Sequence, residues 1–152
     1  DAMATTRVKP HDVLLNITGA SLGRCALVPP VFPPANVNQH VCIIRPSPTK
    51  VNASFARYAL IAEFTKAQIF ADEAGSSREG LNFEQVRDLV LPVPPLDEQM
   101  AIADHIDRET SALDLLASKV ELAIERLREY RSALITAAVT GKIDPGEGVD
   151  EL

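Results

Sequence analysis

Residues 96–142 read LDEQMAIADHIDRETSALDLLASKVELAIERLREYRSALITAAVTGK, and this stretch decides the architecture. It holds no proline, and no glycine before Gly141. Asp97 and Glu98 suit a helix start and Gly141 a helix stop. Stepping by seven residues picks out Ile106, Leu113, Val120, Leu127 and Leu134 at one position. The position three later holds Glu109, Leu116, Ala123, Tyr130 and Ala137. With Glu109 the one polar member, this spacing predicts a coiled-coil seam of about four heptads. A helix of that length would reach roughly 65 Å at 1.5 Å per residue. A small preceding domain cannot cover it. The stripe therefore predicts a second helix, either from an identical chain or from another copy of the segment in a longer parent. Leu115, Leu122, Ile124 and Ile135 fall off the seam and predict further packing along part of the helix. Arg108–Ser111 is a candidate kink or recapping point, because Thr110 and Ser111 compete for backbone groups.

Residues 1–50 read as β-rich. Val13–Ile17, RCALV at 24–28 and QHVCIIRP at 39–46 predict three strands, the first two joined by the turn GASLG at 19–23. PPVFPP at 29–34 is a surface loop, since proline lacks the ladder donor. Residues 53–70 predict one buried helix of about five turns. EAGSSREG at 73–80 breaks it, and LNFEQVRDL at 81–89 predicts a short helix with Asn82 as N-cap. LVLPVPP at 89–95 predicts an extended strand ended by Pro94-Pro95. The fold class is α+β: a small β-rich domain with packed helices over 1–95, a long helix over 96–142, and an acidic, frayed tail over 143–152.

Of the 152 residues, 46% are hydrophobic and 5% aromatic, enough for a core and too apolar for a disordered chain. The net charge is −6, yet it is unevenly spread. Residues 1–60 carry six basic and two acidic side chains, a net of +4; the remainder carry nine and nineteen, a net of −10. A local nucleic-acid surface is thus permitted in the first part. Cys25 and Cys42 sit in apolar runs and read as small buried hydrophobes of a reducing cytoplasm. The longest uncharged stretch, Cys25–Ile44, contains four prolines and is not a membrane span.

Catalytic signatures are missing. His11, His40 and His105 are scattered, no Cys/His set has metal-ligand spacing, and no G-x-S-x-G elbow occurs. Gly19–Gly23 is followed by Arg24-Cys25, not by the Lys-Ser/Thr of a phosphate loop. No catalytic residue, metal or cofactor is expected. What remains is a binding surface: Lys9, Thr18, Ser21, Arg24, Asn38, Gln39, His40 and Arg45 at strand ends and turns, and Ser76, Ser77 and Arg78 in the second glycine-bounded loop. Lysine and arginine neutralise phosphates, arginine pairs with guanine edges, and asparagine and glutamine match adenine. Turns are polar in most proteins, so residue type alone does not separate DNA contact from an ordinary solvated surface. Arg78 is the strongest single candidate.

GLNFEQVRDLVLPVPPLDEQMAIADHIDRET at 80–110, together with RSALITAAVTGKID at 131–144, resembles the specificity subunit of type I restriction-modification systems. Pro94, Pro95, Leu96, Glu98 and Gln99 match its P-P-L-x-E-Q signature, and Ala133–Ile143 match the end of its spacer helix. DVLLNITGASLGRCALV at 12–28 and NQHVCIIRP at 38–46 resemble its strand-turn-strand and next strand. The resemblance covers about residues 8–145. It implies the later part of one target-recognition domain followed by one helical spacer. In that family two recognition domains each read half of a split target. The paired spacers set the distance between halves and dock the methyltransferase (modification) subunits and, through them, the restriction subunit. The expected partners are therefore double-stranded DNA, those subunits, and a second copy of this chain joined through Ile106, Leu113, Leu116, Val120, Ala123, Leu127, Tyr130, Leu134 and Ala137. An oligomerisation or scaffold fragment without DNA recognition is the alternative, and the overall charge of −6 favours it.

Overall fold

The structure, a computed structural model, describes residues 6–73 and 80–143, the side chains of 72 and 73 excepted. The chain runs β1 (Val13–Asn16), β2 (Cys25–Leu27), β3 (Val41–Ile44), α1 (Ala53–Ile61), α2 (Glu63–Glu73), α3 (Phe83–Asp88) and α4 (Leu96–Val139). The strands form one antiparallel sheet in the order β2-β1-β3, so the first strand lies at the centre. Leu15 faces Cys25 on one side and Cys42 on the other. Period-two alternation turns Val13 and Leu15 inward, where they are fully buried. Leu15, Ile17 and Cys42 pack with Ile69 of α2 and Leu81; Val13 packs with Ala56 and Leu60 of α1. Each large apolar side chain buried this way contributes about 2 kcal/mol. Cys42 is buried and Cys25 only partly so, and burial pushes both thiols up, Cys25 to about 11.

The single helix expected over 53–70 is two helices. Ala62 takes an extended conformation (ψ 151°), ending α1, and its carbonyl accepts from Lys66 to begin α2. The break is stabilised by the buried Thr65, whose hydroxyl donates to the Ala59 carbonyl at 2.7 Å and so satisfies one of the acceptors exposed at the end of α1. Asn52 caps α1 by accepting from the Phe55 amide. Asn82, as expected, caps α3, and with Gln85 it completes a reciprocal capping box.

Residues 89–95 are also not the expected strand, since none of them joins the sheet. A side chain stands in for a neighbouring strand. Gln68 accepts from the Val90 amide at 2.9 Å and donates to the Val90 carbonyl at 3.0 Å.

α4 is continuous over its 44 residues and runs without interruption through Arg108–Ser111, so that segment does not recap the helix. It ends as expected at Gly141, which is left-handed (φ 71°). The Gly141 amide donates to Ala138 and the Lys142 amide to Ala137, closing the last turn. Two compact units divide inside this helix, Asp1–Ile106 and Asp107–Leu152. In the first, Ala103 is buried against Phe55 and Ala59. In the second, Leu113, Leu116, Val120, Leu127, Tyr130 and Leu134 are all exposed, Leu127 by 67%. Leu115, Leu122, Ile124 and Ile135 are exposed as well. Of the tail, only Ile143 lies among the described residues.

Candidate nucleic-acid interface

β1 ends where β2 and β3 begin, so the 17–24 turn and the 38–40 turn meet at one end of the sheet. Thr18, Ser21, Arg24, Asn38, Gln39 and His40 are brought together there. The Ile17 amide donates to the His40 carbonyl, tying the two turns. The Thr18 hydroxyl lies 2.6 Å from His40 Nδ1, and the Gln39 amide 3.3 Å from Nε2. Asn38 accepts from the His40 amide through Oδ1. Both ring nitrogens are therefore engaged, and an exposed imidazole is oriented by its neighbours. Arg24 is exposed, with no side-chain hydrogen bond among the described residues. From Asn38 and Gln39 a mostly apolar groove of about 870 Å³ follows β3 towards Leu91.

Gly80 closes the same end. It bridges to Thr18, and the Leu81 amide donates to the Ile17 carbonyl. A Cβ on Gly80 would sit 2.6 Å from the Ile17 carbonyl oxygen and 2.8 Å from Thr18 Cγ2, and its φ is 141°. Only glycine allows so close a backbone approach. Ser76, Ser77 and Arg78 lie outside the described residues.

Lys9 and Arg45 are at the opposite end of the sheet, before β1 and after β3. Lys9 is exposed. Arg45 is committed to the scaffold: its Nε and Nη2 donate to the two oxygens of Asp12, each at 2.7 Å, and Nη2 also reaches the Arg7 carbonyl. Asp12 is fully buried and accepts a third hydrogen bond from the Lys9 amide. Burial opposes its ionisation, but the Arg45 hydrogen bonds, the Lys9 amide and the nearby positive charges outweigh that. They hold the carboxyl below its ordinary 3.8. Sequence reasoning places no partner on Asp12, because the pairing joins residues thirty-three apart across the sheet.

Gln99 is likewise unremarked beyond its place in the P-P-L-x-E-Q signature, yet it is fully buried. Its amide donates to the Pro94 carbonyl at 2.7 Å and the Lys50 carbonyl at 3.0 Å, and accepts from the Asn52 amide at 2.9 Å. Among the described residues, no three His, Cys, Asp or Glu side chains gather into a cation site, and no helix is long and apolar enough to cross a membrane.

Comparison with known proteins agrees with this architecture. Residues 4–126 match the family model described as the type I restriction modification DNA specificity domain. The EcoBI specificity subunit of Escherichia coli is 33% identical over 110 residues, which are 72% of this chain and 23% of that protein. The EcoKI specificity subunit of Escherichia coli strain K12 is 32% identical over 88 residues, 55% of this chain and 19% of its own length. The chain thus spans about a quarter or less of these relatives. A solved chain from work on complex assembly and conformational transition of the type I R-M system superposes with a TM-score of 0.64. It is 22% identical, over 95% of this chain and 36% of that one, and so shares the fold. With the match covering most of its length, the chain belongs to the type I restriction-modification DNA specificity family.

Proposed function

We propose that this chain is a non-catalytic DNA-recognition element of a cytoplasmic type I restriction-modification complex, joined to a helix that spaces two such elements. The observation that carries the reading is the convergence of Thr18, Ser21, Arg24, Asn38, Gln39 and His40 at one end of the sheet, within a family of DNA specificity domains. Arg24 would contact phosphate or a guanine edge, and Asn38 and Gln39 adenine edges. Lys9, at the far end, would touch only backbone phosphate. The apolar stripe of α4 would close against a second helix as a coiled coil, in a lone chain by homodimerisation, giving a two-fold object. The same helix would dock methyltransferase subunits, which would supply methyl transfer and connect to the restriction subunit.

The test is fluorescence anisotropy with duplex DNA across a salt series, with and without the methyltransferase subunit. Binding should weaken steeply with salt, and Arg24→Ala should lower the log–log slope by about one. The scaffold reading, favoured by the net charge of −6, predicts no binding at ~50 mM salt even with that subunit present. Incubation of the chain with plasmid, magnesium and S-adenosylmethionine should leave the DNA unmethylated and uncut.

A further inference from the structure

Seven residues, Leu89–Pro95, connect α3 to α4 outside the sheet, and two glutamine amides hold them. Gln68 holds Val90 from α2, at a solvent-exposed position. Gln99 does more. Its three hydrogen bonds, made by a fully buried side chain, join the loop that opens α1 (Lys50 and Asn52), the last turn of the connector (Pro94) and the first turn of α4. One helical turn later Ala103 seats α4 against Phe55 and Ala59. These two contacts differ in kind. A methyl group against a phenyl ring tolerates sliding and rotation, because dispersion and hydrophobic contact have little directionality. Three hydrogen bonds from one planar amide do not. A helix rotated or shifted by a fraction of a turn would break all three together and leave the buried Gln99 amide without partners.

An apolar residue would serve if burial alone were needed here. The amide adds direction. We propose that Gln99 is a positioning residue: it fixes the orientation of residues 96–106 of α4 on the recognition domain, and so limits which half-site separations the assembled subunit accepts. The second clause rests on the DNA-recognition reading above; the first does not.

Two measurements separate them. Nitroxides carried on p-acetylphenylalanine at Ala26 and Asp104 avoid the native cysteines, and both sites are exposed. In the full chain, diluted with unlabelled chain, pulsed dipolar spectroscopy should give one narrow distance distribution. In Gln99→Met, which keeps the volume and loses the hydrogen bonds, the distribution should roughly double in width, because an unlocked joint samples more orientations. An unchanged width in folded Gln99→Met overturns the proposal. Should that variant not fold, Gln99→Glu retains the acceptor for Asn52 and loses both donors; intermediate broadening is expected there, and an unchanged width again overturns it.

The second measurement is selection from randomised duplexes with the methyltransferase subunit present. The wild-type chain should enrich sites of one internal separation and Gln99→Met several. Enrichment of a single separation by both defeats the spacing clause. No enrichment even by wild type defeats the DNA reading, while the distance distributions still decide the lock.

Discussion

The first three turns of α4 and the turns that follow are one helix with two unlike surfaces. Residues 96–106 present a small residue, Ala103, and a polar one, Gln99, to the protein interior, and both are buried. Residues 107–139 present leucines, valine and tyrosine at coiled-coil spacing, and these are exposed. Hydropathy alone would assign the burial the other way round. The difference teaches that attachment and association are separate tasks. Attachment to a formed domain needs shape and directional hydrogen bonds, whereas the proposed association with another helix would use an apolar stripe that stays open until the partner arrives.

The sharpest way to break this division is to charge the stripe. Val120→Asp would place an unpaired carboxylate in the seam of each partner. It should weaken self-association at least ~100-fold, about 3 kcal/mol, with the β-sheet domain unaffected. Sedimentation velocity at tens of micromolar should then show monomer where the parent chain shows dimer. A parent chain that is itself monomeric there would count against the seam.

Gly80→Ala attacks the other side of the comparison. With its Cβ 2.6 Å from a carbonyl oxygen, it should destabilise the sheet domain by roughly 3 kcal/mol in urea titration without changing helix association. Asp12→Ala comes next, at about 2 kcal/mol. Arg45 is half exposed, so solvent screens that ion pair, and most of the cost is lost hydrogen bonding to a buried carboxylate. The sign of its pH dependence follows from the depressed folded value. The stabilisation is complete above about pH 4 and is lost as pH falls through the folded pKa; in Asp12→Asn the acid limb of a stability–pH curve should flatten. Smallest is Asn82→Ala. Loss of the capping box of α3 should cost about 1 kcal/mol in thermal denaturation and leave the association constant unchanged.

Much of this fold is legible in the chain because the signals are local. Alternation marks β1, Asn82 three residues before Gln85 marks a capped helix, and Gly141 marks the end of α4. The misreadings share a cause. Residues 53–70 carry a helical apolar pattern throughout, but the break at Ala62 depends on a Thr65 hydroxyl reaching Ala59 in the folded domain. LVLPVPP has the composition of a strand, but its pairing partner is the side chain of Gln68 on a different helix. Of the nominated DNA-contact residues that the structure describes, six share one end of the sheet while Lys9 and Arg45 lie at the other, a division set by the antiparallel strand directions.

The sequence by itself determined the periodicities, the caps, the +4 excess in residues 1–60 and the stripe from Ile106 to Ala137, since each is a property of neighbours along the chain. Only the tertiary structure decided that β1 is central, that Arg45 is tied to Asp12, and that a buried glutamine joins three segments of backbone. The bonds that link Arg45 to Asp12 and Gln99 to Lys50 and Asn52 join residues 33 to 49 apart, and hydrogen bonds between such distant groups leave no periodic trace in the sequence.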